Sequence, residues 1–262
     1  MSAPAPRRLT LTAAEYAYVV TELDANMPPD WKPAPDIAAV GDLAAKGVLR
    51  DGEIHPSVAA NIGVIAAPRV FLETTATAGA RGSRSLHAVA GELGASLFLL
   101  PDAGVELSLF AAVELGRELV RAVPSEEAAG IGAALDADDE VEPLHGVVPL
   151  AALHELGVAD LLREADPDAP GYVLAELKLP KDEAEFALQV VRRTDGVLTC
   201  LVTGVVDGSV RSARVYWLHS DTGWVGVQPA AHGGGRQLVE LTPVGRDELG
   251  VWVTPYLAEA LA

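Results

Sequence analysis

The chain has 262 residues, half of them apolar but only 5% aromatic, and its 37 acidic against 19 basic side chains give a formal net charge of −18. Such a charge repels a phosphate backbone, and with no basic stretch holding more than two arginines, as at Arg81–Arg84 and Arg211–Arg214, it argues against nucleic acid binding. A single cysteine, Cys200, excludes an intrachain disulfide, and no apolar run reaches the roughly 18 residues of a membrane span.

The length suits one large domain or two intimately packed subdomains. Met1–Arg8 is rich in Pro and Ala with no apolar signal core behind its arginines, which points to the cytoplasm. Thr12 and Glu15 have capping-box spacing ahead of an apolar stripe at Tyr16, Val19, Val20 and Leu23, so a helix is predicted from Ala13 to Asp24. Pro28, Pro29, Pro33 and Pro35 then force an extended loop. A short helix over Ile37–Lys46 ends at Gly47, and Val48–Ile54 surrounds an Asp51-Gly52 turn. Val58, Ile62 and Ile65 share one face of a helix from Ser57 to Ala66, closed by Pro68.

The period then changes. Val70–Thr77, Ser85–Ala90, Ser96–Leu100 and Val105–Phe110 read as short strands between Gly-bearing turns, and a helix follows over Ala111–Val123. Ser125–Glu142 reads as a linker with an acidic run at Asp136, Asp138, Asp139, Glu140 and Glu142. Beyond it come a helix over Leu150–Glu164, a loop at Asp166–Gly171 and a helix over Lys181–Arg193. Val197–Val206, Val210–Leu218, Gly223–Val227 and Gln237–Leu241 again read as strands, and Thr242-Pro243 starts a last helix to Ala260, kinked near Thr254-Pro255.

Helix, four short strands and helix thus occur twice. Arg84-Ser85 matches Arg211-Ser212, and Gly116-Arg117-Glu118 matches Gly245-Arg246-Asp247, at nearly equal separations. The expectation is an α+β fold: a central antiparallel sheet flanked by helices, in two quasi-symmetric halves arising from an internal duplication. The halves are 1–124 and 143–262, with 125–142 as the acidic linker between them. Two strand meanders pairing edge to edge would form one continuous sheet.

The search for chemistry is negative. There is no phosphate-binding or dinucleotide-binding glycine motif. The six histidines never stand at metal-ligand spacing, and one cysteine cannot build a Cys-rich zinc site. His232-Gly233-Gly234-Gly235 imitates a lipase oxyanion motif without the serine elbow such enzymes need, so it reads as a hairpin loop. The acidic run lacks the glycine and the closing Glu of a calcium loop, Val141 standing where the glycine should be. No catalytic, cofactor-binding or metal-binding residue is assigned, and no cofactor is expected.

Leu9-Thr10-Leu11-Thr12 through Glu15 resembles the start of the ESX secretion-associated protein EspG family. So does Leu43-Ala44-Ala45-Lys46-Gly47-Val48-Leu49, then Asp51-Gly52 and the helix up to Ala67-Pro68, as do the Trp217–Val227 hairpin and the final helix. The resemblance covers nearly the whole chain. It implies a cytosolic, non-enzymatic chaperone of type VII secretion in actinobacteria that binds PE–PPE heterodimers and caps an apolar tip on the PPE protein. It also implies two quasi-symmetric α/β halves around a central antiparallel sheet. One departure is the turn at about Gly91–Ala95, where mycobacterial members tend to carry a longer loop that helps grip the substrate.

An apolar client tip must meet apolar groups, and interface anchors are often aromatic. Aromatics concentrate late in the chain, so Tyr216, Trp217, Trp224, Trp252 and Tyr256 are the candidate partner-binding residues, lining a groove between sheet and final helix. Tyr216 and Trp217 point to opposite faces of their strand, and Trp252 and Tyr256 share a helix face. The alternatives are an acidic homo-oligomer of structural or regulatory role without an export function, and an enzyme with an unrecognised site.

Overall fold

The computed structural model describes residues 8–33, 41, 43–102, 104–125, 141–230 and 235–261. Its first element, strand β1 (Arg8–Leu11), leads into helix α1 (Ala13–Glu22). The predicted capping box is present: the Glu15 N–H donates to Thr12 Oγ1 at 3.2 Å, and the Thr12 N–H donates to Glu15 Oε2 at 2.8 Å. Burial works to raise the Glu15 carboxyl, but hydrogen bonds from Lys46 and from the Thr12 backbone outweigh it and hold the group below its ordinary range. Residues 43–47 form a turn rather than the end of a helix, and the rest of the helix predicted over Ile37–Lys46 lies largely outside the described residues. Asp51 and Gly52, both at positive φ, join β2 (Leu49–Arg50) to β3 (Glu53–Ile54) as the sequence predicts.

Helix α2 (Pro56–Ala66) precedes the first meander: β4 (Val70–Ala78), β5 (Arg81–Ala90), β6 (Leu93–Leu99) and β7 (Val105–Ala111). The predicted helix after it is broken, with only α3 (Leu115–Leu119) α-helical between two single 3-10 turns. The linker predicted over 125–142 lies mostly outside the described residues. The second meander is preceded by β8 (Gly146–Pro149) and helices α4 (Leu150–Leu161), α5 (Ala169–Leu177) and α6 (Lys181–Arg193). It comprises β9 (Thr194–Val206), β10 (Ser209–Ser220), β11 (Gly223–Pro229) and β12 (Leu238–Pro243), and helix α7 (Leu249–Leu261) closes the chain. Residues Thr242-Pro243, read as a helix start, end β12 instead, because they pair with Gly226 and Val225 in the sheet. Pro255 does lie inside α7, and Thr254 Oγ1 donates to the Gly250 carbonyl at 2.7 Å beside it.

The strands form one ten-stranded sheet in the order β1-β7-β6-β5-β4-β9-β10-β11-β12-β8, and every pairing in it is antiparallel. The order reads alike from either end. The two meanders meet through β4 and β9, with Thr74 opposite Cys200. Counted from the tight turns after Ala78 and Val206, Arg84 stands level with Ser212 rather than with Arg211. The Ala111 N–H is bonded by Glu114 and the Gly245 N–H by Glu248, and counted from these bonds Gly116 stands level with Gly250 rather than with Gly245. Gly116 and Gly250 in fact meet where α3 and α7 cross: a Cβ on Gly250 would stand 3.1 Å from the Gly116 Cα.

Three apolar cores result. Tyr16, Val19, Ile62 and Ile65 of α1 and α2 pack on Leu86, Leu97 and Leu107. Leu156, Ala187 and Val190 of α4 and α6 pack on Val225, Val239 and Leu241. Between them, on the opposite face, Leu115, Leu119, Leu249 and Val253 of α3 and α7 cover Leu198, Cys200, Val202 and Trp217. Burial pushes the Cys200 thiol up to about 11, in keeping with a buried strand residue.

Candidate functional site

The register decides which side chains stay open. Along β9, Leu198, Cys200 and Val202 are buried, while Val197, Thr199, Leu201, Thr203 and Val205 alternate with them on the other face. Thr199 is paired with Thr75 of β4 on one side and Tyr216 of β10 on the other. This is the same face that carries Leu86 under α1 and α2, and Val225 under α4 to α6, but no helix among the described residues covers its centre. The central strands therefore present an open floor of threonine and aliphatic side chains between two helical walls. Exposed Val197, Val205, Val210 and Tyr216 lie on it.

Three charged side chains of the described central strands face it, Glu73, Arg84 and Arg214. On the first-half side, Trp31 is buried in the core from a 3-10 turn at Pro29–Trp31, and its Nε1–H donates to Glu73 Oε1. The Arg84 guanidinium stacks over the Trp31 ring at 4.8 Å and lies 3.5 Å from Asp30 and 3.7 Å from Glu73. On the second-half side, Arg214 donates from Nη1 to the Tyr216 hydroxyl at 2.9 Å and lies 5.7 Å from that ring. The sequence reading missed Arg84, Arg214 and the threonines as members of one surface, since it is the β4–β9 pairing that sets them side by side.

The aromatic candidates divide. Trp217 is wholly buried and Trp224 is 3% exposed, both in the central core. Trp252 of α7 meets Trp217 edge-on at 5.9 Å between ring centroids. Between the sheet and the last helix, Trp217 and Trp224 are core residues and half-buried Trp252 packs against them. Only Tyr216, 41% exposed, stands on the open floor. Tyr256, 37% exposed, is on α7 and hence on the opposite side of the sheet. That side also carries a cleft of about 360 Å³ at the α3–α7 crossing, lined by Val89, Leu115, Gly116, Gly250 and Thr254 among others.

Reactive chemistry is not assembled among the described residues. His219 Nδ1 lies 2.5 Å from Asp195, but its Nε2 is buried without a partner, and the neighbouring Ser220 hydroxyl is bonded to Thr222 and the Gly223 carbonyl. No described group of three His, Cys, Asp or Glu side chains could hold a metal ion, and no described helix is long and apolar enough to cross a membrane. His232–Gly234 of the lipase-like motif lie outside the described residues.

The whole-chain sheet with helices over both faces defines an α+β platform. The sequence model of the EspG family matches residues 34–254, and the chain belongs to that family. Among solved structures the chain is similar to the Mycobacterium tuberculosis type VII secretion system chaperone EspG5, solved in complex with the PE25-PPE41 dimer. That match has 13% sequence identity and a TM-score of 0.64, and it covers 97% of this chain and 96% of the other. None of the curated proteins matches the chain in sequence.

Proposed function

We propose that this protein is a cytosolic chaperone of type VII secretion that binds a PE–PPE heterodimer and keeps it soluble for export, and that it is not an enzyme. The observation that carries this reading is a family member with an open sheet floor set between two helical walls. An apolar helical tip would lie across Val197, Thr199 and Leu201, with Tyr216 as the aromatic anchor left exposed. The surrounding acidic surface keeps the chaperone soluble while the floor is unoccupied.

Co-expression with the PE–PPE pairs encoded in the same genome tests this. The expected result is one pair recovered as a stable complex, with its soluble yield raised. Leu201→Asp should abolish capture while leaving the melting temperature near that of the wild type. Failure of every pair to bind overturns the proposal. Self-association of the purified protein that Leu201→Asp disrupts would favour the homo-oligomeric alternative.

We further infer that 1–124 and 143–262 are halves related by duplication. The strand order that reads alike from either end supports this, as do the equivalent caps of α3 and α7 and the crossing of those helices at equivalent glycines. Superposition of the two halves tests it, and halves whose meanders do not superpose would sink it.

A further inference from the structure

We infer that Arg214 is a specificity-determining residue of the open floor, placed to pair with a carboxylate that the client carries beside its apolar tip. The inference rests on the chaperone reading above.

The side chains that face the floor from β4, β5, β9 and β10 include three formal charges: Glu73, Arg84 and Arg214, by strand alternation and register. Glu73 is occupied by the Trp31 indole and by Arg84, and Arg84 is shared between Glu73 and Asp30. Arg214 differs. Among the described residues its guanidinium has no carboxylate within ion-pair distance, and its one hydrogen bond goes to a neutral hydroxyl, that of Tyr216.

In a chain with 37 acidic and 19 basic side chains, an exposed arginine at the middle of the sheet has no shortage of acids with which it could have been paired. This one is held instead by an aromatic ring and a hydroxyl, which fix the guanidinium without neutralising it. Its remaining N–H donors form a planar fork that suits a carboxylate. Leu201 of β9 stands directly opposite Arg214 of β10, and Tyr216 and Ser212 flank Arg214 along its own strand. A segment seated on Leu201 and Thr199 therefore brings whatever lies beside its apolar side chains to Arg214. The complementary partner is an apolar helical tip bearing an Asp or Glu next to its contact residues. A basic tip would meet the uncompensated cation and be rejected.

The test uses the full chain and the PE–PPE heterodimer that the wild type captures. Arg214→Glu should weaken binding by about tenfold or more, and Arg214→Gln by less. The salt dependence of affinity seen with the wild type should be reduced in Arg214→Gln. Tyr216→Phe keeps the ring and removes the hydroxyl, and should fall between wild type and Arg214→Gln. Since Arg214 is exposed, all three variants should melt near the wild-type temperature. Single Asp or Glu to Lys substitutions at the PPE tip should include one that restores binding to Arg214→Glu while weakening binding to the wild type. If the wild type captures a heterodimer and Arg214→Glu captures it equally well, the role of Arg214 is overturned and the chaperone function stands. If the wild type captures none, the chaperone function falls and this inference falls with it.

Discussion

Trp217 sits in the middle core, against Trp224 at 6.3 Å and Trp252 at 5.9 Å between ring centroids, and its indole N–H has no partner among the described residues. Trp217→Ala should cost about 3–5 kcal/mol in urea unfolding, the range for truncating a buried aromatic. Trp217→Phe should cost less, because it also removes an unpaired donor. His87 is the other buried polar residue with a measurable consequence. Among the described residues neither of its ring nitrogens has a partner in good hydrogen-bond geometry, and burial, assisted by Arg121, pushes it down to about 3 against the weaker upward pull of the nearby Glu118 backbone. The folded state therefore keeps His87 neutral where the unfolded chain takes up a proton, between its ordinary value near 6.5 and about 3. Stability should be fully present above about pH 6.5 and fall on acidification, by up to roughly 1.4 kcal/mol per pH unit from this group. Chemical denaturation of His87→Leu between pH 7 and 5 should show a flatter limb than wild type. An equally steep limb would show that His87 does not drive the loss. The alternation that sends Tyr216 and Trp217 to opposite faces was legible in the sequence. Which of them faces outward was not, since that depends on which side α7 covers.

Gly226 of β11 lies under the Trp252 ring of α7, which a Cβ there would overlap. Gly226→Ala should cost about 1–3 kcal/mol by forcing that ring aside, and the loss should appear in the thermal midpoint. Client capture should be unchanged, because α7 lies on the face opposite the floor. Among the elements, the two meanders, α1, α2 and α6 could be read from hydrophobic period and caps, often to within a few residues. Helix α5 could not: Pro170 and Gly171 look like loop residues, yet proline is tolerated in a first turn, and Val173, Leu174 and Leu177 gain their partial burial by packing on the third core beside α4. Edge strands β1 and β8 are four residues each, too short for a periodic signal, and are strands only because β7 and β12 pair with them. The shortness of the turn between β5 and β6 was legible, and it is tighter than expected: Ala90 pairs with Leu93.

At the scale of the molecule, the open floor belongs to neither half. Its threonines come from β4 and β9, its charged side chains from β4, β5 and β10, and no pattern within either half announces it. The halves are also locked on the other face. Arg246 donates to the Val123 carbonyl at 2.6 Å and the Val120 carbonyl at 3.2 Å, and the Trp224 indole lies 3.4 Å from the Pro124 carbonyl. Among the described residues the halves are joined noncovalently, by the β4–β9 ladder, the glycine crossing and these carbonyl contacts. A gene split between 125 and 141 should yield two fragments that reassemble when expressed together. The reconstituted pair should regain the far-ultraviolet spectrum of the parent, and neither fragment alone should capture a client. Fragments that recognise a client singly would mean that the floor is not shared. Reassembly would make client binding a reporter of whether the two pieces have met.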